Sequence, residues 1–514
     1  MFSTVLSATV HGLCVEFVHV EADTSNGLPV FHMVGYLSSE VKEAGERVRT
    51  AIRNSGFLLP AKKIVINLSP ANIRKRGTMF DLPIAISILA SLEQVRLADF
   101  ESALFVGELS LDGAVKSVPG ILPIVLEAKE KGYQVCVVPK ENEKEGALID
   151  GIQIIGVSTL KEVCQILNGE KRIEQSKELD QNTWMTLCKK NELDYCDIKG
   201  QRAAKRAAEI AVAGNHNMLL LGPPGAGKSM IAKCIPSILP TLTLEESMEL
   251  TKLYSIVGEL NRNAPLVTVR PFREVHHSIT KAALIGGGRI PRPGEISLSH
   301  KGVLFLDEIA EFQKPVLELL RQPLEDHKIK IIREGREYEF PAEFLLIAAM
   351  NPCSCGYYPD LNKCTCTPSQ IQSYSGRVSQ PLLDRIDICV EVERVKYEEL
   401  NMEREEESSV PIRERVLQAR KIQEKRYQKI GIYTNSQLRA KDIPEYCALG
   451  EKEERLMRQA FEYFGLTVRK YHKVLGVSRT IADLEGKENI EAHHLREALS
   501  YRTPEKNYWG GKRI

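Results

Sequence analysis

Eight consecutive residues carry the plainest chemistry in this sequence: Gly222-Pro223-Pro224-Gly225-Ala226-Gly227-Lys228-Ser229. They satisfy G-x-x-x-x-G-K-[ST], a spacing whose glycines let backbone N–H groups converge on phosphate oxygens. An apolar run over 217–221 reads as the strand leading in, and the pattern over 230–239 as the helix leading out. The N-terminus of that helix adds partial positive charge to the cradle. Lys228 is placed to reach the β- and γ-phosphates and the Ser229 hydroxyl to ligate Mg²⁺, so ATP and Mg²⁺ are the expected ligands. The bland alternative is a glycine-rich loop at a structural strand-to-helix turn.

A second group lies further on, where Val303-Leu304-Phe305-Leu306 runs into Asp307-Glu308. A carboxylate at a strand end beside the phosphate loop can hold Mg²⁺ through water, the role expected of Asp307. Glu308 is then placed to polarise the attacking water. Alone, such an acidic pair would be a solvated loop start. Another apolar strand, over 344–350, ends in Asn351.

Cys353-Ser354-Cys355 and Cys364-Thr365-Cys366 put four thiols into fourteen residues. Four thiolates can give Zn²⁺ a tetrahedral structural site that leaves no position open for catalysis. C-x-C is tighter than the usual zinc spacing, and four reduced thiols in a loop are the alternative. Two further stretches read as projections. Residues 271–296 contain Gly286-Gly287-Gly288, Pro291 and Pro293, a poor helix and a good loop or hairpin. In 327–339, Lys328, Lys330, Arg333 and Arg336 flank a turn at Gly335, the pattern of a β-hairpin with basic residues near its tip. Basic residues on such a projection could grip a phosphate backbone. The interleaved Glu334, Glu337 and Glu339 leave a solvated, mixed-charge hairpin as the other reading.

The elements that must position these groups follow from periodicity. From 197 to about 392, apolar strand-like runs alternate with helical patterns, the signature of a parallel α/β sheet. Ahead of it, strands over 13–22 and 63–68 bracket a helix carrying Val41, Ala44, Val48, Ala51 and Ile52 on one face, and a second helix spans 81–92. That is an α+β unit with its own core. Residues 168–182 are almost wholly polar and read as a linker, and a charged stretch begins at 403–407. Beyond it the chain is helical, with Val474, Val477, Ile481 and Leu484 on one stripe and Leu495 and Leu499 on another. The expected architecture is therefore a multidomain α/β chain: a front unit over 1–168, a linker over 169–196, a P-loop core over 197–395 and an all-α lid with tail over 396–514.

A chain of 514 residues is too long for one core. Its composition, 43% hydrophobic and 27% charged, is that of a soluble globular protein. A net charge of +1 gives no global pull toward nucleic acid, so any such site must be local. No apolar run approaches the roughly 20 residues that cross a bilayer, and there is no basic region of a signal peptide. Cys136, Cys164, Cys234 and Cys389 sit singly in apolar segments, as reduced core thiols do. A cytoplasmic protein with no membrane partner is expected.

The core motifs resemble those of AAA+ ATPases of the magnesium chelatase and MCM branch. By that resemblance Asn351 is the sensor-1 residue. Pro381-Leu382-Leu383-Asp384-Arg385-Ile386-Asp387 is similar to the box carrying the arginine finger, which implies that Arg385 reaches the ATP of a neighbouring subunit. Thr467-Val468-Arg469-Lys470 is similar to the sensor-2 segment, with Arg479 as a second candidate. The two hairpin insertions match those that point into the pore of ring helicases, which implies a homo-hexamer and DNA contacts at Lys328, Lys330, Arg333 and Arg336.

Residues 27–139 resemble the proteolytic domain of Lon-type proteases, a ribosomal S5 domain 2-like fold. The resemblance rests on the segment from Val106-Gly107-Glu108 to Ala114-Val115 and on Cys136-Val137-Val138-Pro139. Where that family carries a Ser–Lys dyad, this chain has Asp81 and Leu122, which supply neither nucleophile nor base. No peptidase activity is expected, and the unit is read as an assembly module for an unidentified protein partner. The order of units resembles the YifB/ComM family of magnesium-chelatase-like ATPases. That implies an ATP-driven helicase or translocase acting on branched or single-stranded DNA, promoting branch migration in recombination or natural transformation. The alternatives are the motor subunit of a chelatase inserting Mg²⁺ into a tetrapyrrole, an ATP-dependent protease or unfoldase, and an ATP-switched scaffold.

Overall fold

The computed structural model describes residues 1–173, 193–261, 263–288, 291–395, 397 and 406–509. Most of the polar stretch 168–182 and of the charged stretch 403–407 lies outside the described residues. The chain opens on two long strands, Phe2–His11 and Cys14–Ser25, paired antiparallel from Phe2↔Asp23 to His11↔Cys14. They form the middle of a seven-stranded sheet. Its order is Phe31–Val34, Lys63–Ser69, Cys14–Ser25, Phe2–His11, Ala103–Phe105, Val135–Pro139 and Gln153–Val157. The helix Ser39–Asn54 buries Val41, Ala44, Val48, Ala51 and Ile52, the stripe its spacing predicts. The helix Asp81–Ser91 is apolar nearly all round and lies in the interior.

The second sheet has five strands, all parallel, in the order Phe272–Val275, Val303–Leu306, Leu345–Met350, Met218–Leu221 and Ile388–Glu391. Alternate residues of each strand enter two different cores. Val303 and Phe305 join Met218 and Leu220 on one side, while Leu304 and Leu306 join Leu219 and Leu221 on the other. With both faces covered, such strands read as unbroken apolar runs. The carboxyl ends of three neighbours, Leu306, Met350 and Leu221, therefore come out side by side, where an open parallel sheet binds its ligand.

A helical region follows. Ser409–Tyr427, Val468–Leu484 and Ala492–Ser500 pack with the helix Arg202–Gly214, burying Val474, Val477, Ile481, Leu495 and Leu499. The terminal helix Thr503–Trp509 folds back, and the Trp509 indole N–H donates to the Ser375 carbonyl at 2.9 Å. Lys328–Arg333 and Arg336–Pro341 form an antiparallel hairpin. Its turn residues Glu334 and Gly335 both have positive φ (50° and 75°), the requirement of a tight two-residue turn. Among the described residues no helix is long and apolar enough to cross a membrane.

Candidate nucleotide site

Residues 224–230, Asp307, Glu308, Met350 and Asn351 line one cavity of about 370 Å³. Gly222 leaves its strand so close to Val392 that a Cβ there would lie 2.1 Å from a backbone oxygen, so only glycine starts this loop. Gly227, at φ 91°, turns the chain into the helix Lys228–Ile238. The Lys228 ammonium donates to the carbonyls of Gly222 (2.7 Å) and Pro223 (2.9 Å) and to Asn351 Oδ1 (3.0 Å). Burial pushes it down to about 8, against the pull of Asp307 and Glu308. A buried cation held by neutral oxygens at a helix N-terminus is suited to an arriving polyanion.

The Ser229 hydroxyl donates to Asp307 Oδ2 at 2.7 Å, which brings together the two oxygen ligands expected for Mg²⁺. Asp307 Oδ1 accepts the Glu308 N–H at 2.9 Å. Glu308 is exposed and held at φ 49°, the left-handed region, where backbone strain concentrates at working sites. The phosphate loop, the acidic pair and Asn351 thus converge from three adjacent strands. These donors fit a nucleotide triphosphate with Mg²⁺.

Three residues that brace this site have no motif to announce them. Gln201 donates through Nε2 to the carbonyls of Ala226 (3.2 Å) and Glu393 (2.5 Å). Arg394 lies over the Tyr357 ring and reaches the Pro224 carbonyl at 3.5 Å. Gly356, within the cysteine loop, packs directly on the Pro224 ring.

Three magnesium chelatase subunit ChlI family models match the chain. The model described as subunit ChlI matches residues 194–400, that described as subunit ChlI of Mg-chelatase residues 20–142, and the C-terminal model residues 406–502. The competence protein ComM of Haemophilus influenzae is 44% identical over 500 residues, covering 97% of each chain. YifB of Escherichia coli is 41% identical over 490 residues, covering 94% of each. The chain belongs to the ComM/YifB family of magnesium-chelatase-like AAA+ ATPases. Membership implies use of a nucleotide and Mg²⁺, in keeping with the cavity. A stretch of 126 residues is also 32% identical to Lon protease 2 of Bacillus subtilis, covering 24% of this chain and 22% of that one.

In this family member, Arg385 and Arg469 line a second cavity, of about 300 Å³, rather than the nucleotide cavity. Arg385 is buried, with Nε on the Arg321 carbonyl (3.1 Å), Nη1 on the Pro381 carbonyl (2.6 Å) and Nη2 on Glu325 Oε1 (2.8 Å). Arg469, at the start of the helix Val468–Leu484, pairs with that same oxygen of Glu325. Glu325 thereby links the core to the helical region, and hydrogen bonds from both arginines hold its carboxyl low against the opposing effect of burial. Arg479 is placed elsewhere, buried on Asp483 and the carbonyls of Lys487 and Glu488.

Cys353, Cys355, Cys364 and Cys366 place their sulfurs within 4.8 Å of one another. Cys353 and Cys355 lie 3.3 Å apart, Cys353 and Cys364 3.8 Å, and Cys355 and Cys364 3.6 Å. Thiolates at about 2.3 Å from a tetrahedral Zn²⁺ lie about 3.8 Å from one another, so the set fits that ion. On the hairpin, Lys328 pairs with Glu339 (3.2 Å) and Lys330 with Glu337 (2.6 Å). Arg336 reaches Glu16 of the front sheet (3.1 Å), and Arg333 is exposed.

In the front region Asp81 is fully buried and takes two hydrogen bonds from Arg47, at 2.8 and 2.9 Å. The Leu122 side chain is buried, and its N–H donates to Glu145 Oε1 at 2.9 Å.

Proposed function

We propose that this chain hydrolyses ATP as one subunit of a homo-hexameric ring that moves along branched or single-stranded DNA and drives branch migration. The observation that carries the first half is the convergence of Lys228, Ser229, Asp307, Glu308 and Asn351 at three neighbouring strand ends. Lys228 and the loop N–H groups bind phosphate, Ser229 and Asp307 hold Mg²⁺, Glu308 orients and polarises the attacking water, and Asn351 fixes Lys228. Mg²⁺, when bound, neutralises charge on the phosphates. Arg385, away from its own chain's nucleotide cavity, serves the site of a neighbouring subunit, and Arg469 acts as the sensor-2 residue of the lid.

Support for the DNA half comes from the competence name of the Haemophilus relative and from the basic hairpin. Lys328, Lys330, Arg333 and Arg336 contact the phosphate backbone, and the four cysteines hold a structural Zn²⁺ that ties their loop. The region over 1–168 is a Lon-like fold without peptidase chemistry, followed by a linker over 169–196, the AAA+ core over 197–395 and the lid over 396–514.

The test is a labelled four-way junction with Mg-ATP and the intact protein, with Lys228→Ala as control. Conversion of the junction into forks by the wild type alone supports the motor. Hydrolysis of ATP with a junction neither bound nor moved removes the DNA half, and an ATP-switched scaffold or chelatase-type motor takes its place.

A further inference from the structure

The surface where the front region meets the hairpin is charged, and the nucleotide chemistry makes no use of it. Glu334, at the hairpin turn, accepts from Arg74 (3.2 Å) through one oxygen and from Arg76 (2.9 Å) through the other. Arg336, just past the turn, reaches Glu16. Arg333, just before it, makes no ion pair with another described residue. Tyr36 is 50% exposed, and the Arg74 guanidinium stands 5.3 Å from its ring centre. Three guanidinium groups thus hold two carboxylates, with the exposed Arg333 next in sequence and a half-exposed tyrosine ring alongside, in a chain whose net charge is only +1.

This combination has a specific chemical use. Guanidinium forks bind phosphate oxygens in pairs, and an exposed ring offers a stacking platform to any base. Glu334 already shows what the two front-region arginines accept: one anion with two oxygens, held between them. Its side chain is 47% exposed, while those of Arg74 and Arg76 are 15% and 10% exposed, so the carboxylate is the solvent-facing partner that an arriving phosphate would replace. A nucleic-acid strand releases counterions when it binds such cations, an advantage a lone carboxylate lacks.

We propose that the front region and the hairpin form one composite surface for single-stranded DNA. Arg74, Arg76, Arg333 and Arg336 contact phosphates, Tyr36 stacks on a base, and Glu334 occupies the place of a phosphate until the strand arrives. The proposal rests on the DNA reading above and extends it from the hairpin to the front region. Binding also releases the hairpin turn from Arg74 and Arg76, so the strand frees the element that grips it.

The experiment is anisotropy of a fluorescent oligothymidine with the full chain across about 50–200 mM salt. For single strands the slope of log affinity against log salt is about 0.7 per phosphate contact, so Arg74→Ala/Arg76→Ala should flatten it by about 1.4. Tyr36→Ala should weaken binding about tenfold with the slope unchanged, because stacking releases no counterions. Glu334→Gln should tighten binding at least about threefold, a gain that a damaged fold cannot produce. The composite surface is wrong if Arg333→Ala weakens binding while the Arg74/Arg76 double variant keeps wild-type affinity and slope. It is equally wrong if Glu334→Gln weakens binding as the arginine variants do. If the wild type fails to bind the oligonucleotide at all, the DNA reading falls and this surface falls with it.

Discussion

Gly356→Ala tests whether the cysteine loop braces the nucleotide site. Gly356 sits at φ 82°, and a Cβ there would lie 2.5 Å from Pro224 Cδ. A residue with a Cβ in the left-handed region costs roughly 1–2 kcal/mol, of which alanine recovers about 0.4–1 by stiffening the unfolded chain. Overlap with a packed neighbour adds about 1–3 kcal/mol. The expected total is about 2–3 kcal/mol, and it can surface in two ways. If the loop holds, the protein loses that much stability. If Pro224 yields instead, the phosphate loop is displaced, and each 1.4 kcal/mol absorbed there costs about tenfold in nucleotide affinity. Gly431→Ala is the control, since Gly431 has φ 67° with no atom within 4 Å of the added carbon. It should cost under about 1 kcal/mol and leave nucleotide binding intact. Urea unfolding and titration with a fluorescent ATP analogue read both quantities. Equal stability losses in the two variants, with wild-type nucleotide affinity in both, would refute the brace.

Other expectations follow from named contacts. His216 is buried on the Thr480 hydroxyl at 2.7 Å, and burial pushes its pKa down to about 4. The unfolded chain takes up that proton near 6.5 while the folded one does not, so stability is lost as pH falls from about 6.5 toward 4. The loss between pH 6.5 and 5 is about 1.6 kcal/mol by urea unfolding, and His216→Gln should lack that component. Mixing Lys228→Ala with Arg385→Ala should recover ATPase that neither variant shows alone, because each supplies what the other's interface lacks; no recovery would mean that Arg385 does not act across subunits. Asp81→Ser should cost about 3 kcal/mol by stranding Arg47 beside a buried site, and should still leave casein uncut. Casein cleavage by that variant would overturn the non-proteolytic reading of the front region.

Local signals made much of this legible. The phosphate loop, the strand into Asp307 and the hairpin turn at Gly335 each declare themselves within a few residues, and each lies where its pattern places it. The opening strand Phe2–His11 was not legible. It buries Val5, Leu6, Ser7, Ala8 and Thr9 in succession, so neither alternation nor an apolar run marks it, and its partner strand supplies the reason for its form. Gln201, Arg394 and Gly356 brace the nucleotide site through contacts far apart in sequence, which spacing cannot reveal. Arg385 was identified by its motif, but its bond to Glu325 depends on how two segments meet. The Trp509 tail is too short to show periodicity, and its place depends on distant partners, the Ser375 carbonyl and the Tyr358 ring.

The front region is tied to the core through Leu122, Glu145 and Gly120. The Leu122 side chain is buried, and its N–H donates to Glu145 Oε1. The same oxygen accepts the Ser255 hydroxyl at 2.6 Å, while the Ser255 carbonyl accepts the Gly120 N–H at 3.0 Å. Burial raises the Glu145 carboxyl, against hydrogen bonds from Ser255, Asn142 and the backbone that favour its charged form. Ser255 belongs to the helix Leu244–Val257, the next helix after the one that opens at Lys228. At its other attachment the front region holds the hairpin turn through Arg74 and Arg76. We infer that this hydrogen-bonded contact is a mechanical joint. Leu244–Val257, which residues 239–243 join to the nucleotide-binding helix, is thus bonded through Ser255 and Glu145 to the front region, and the front region to the hairpin. Glu145→Gln keeps the shape and weakens the charge-assisted bonds, so it should loosen the dependence of DNA affinity on nucleotide while each ligand alone still binds.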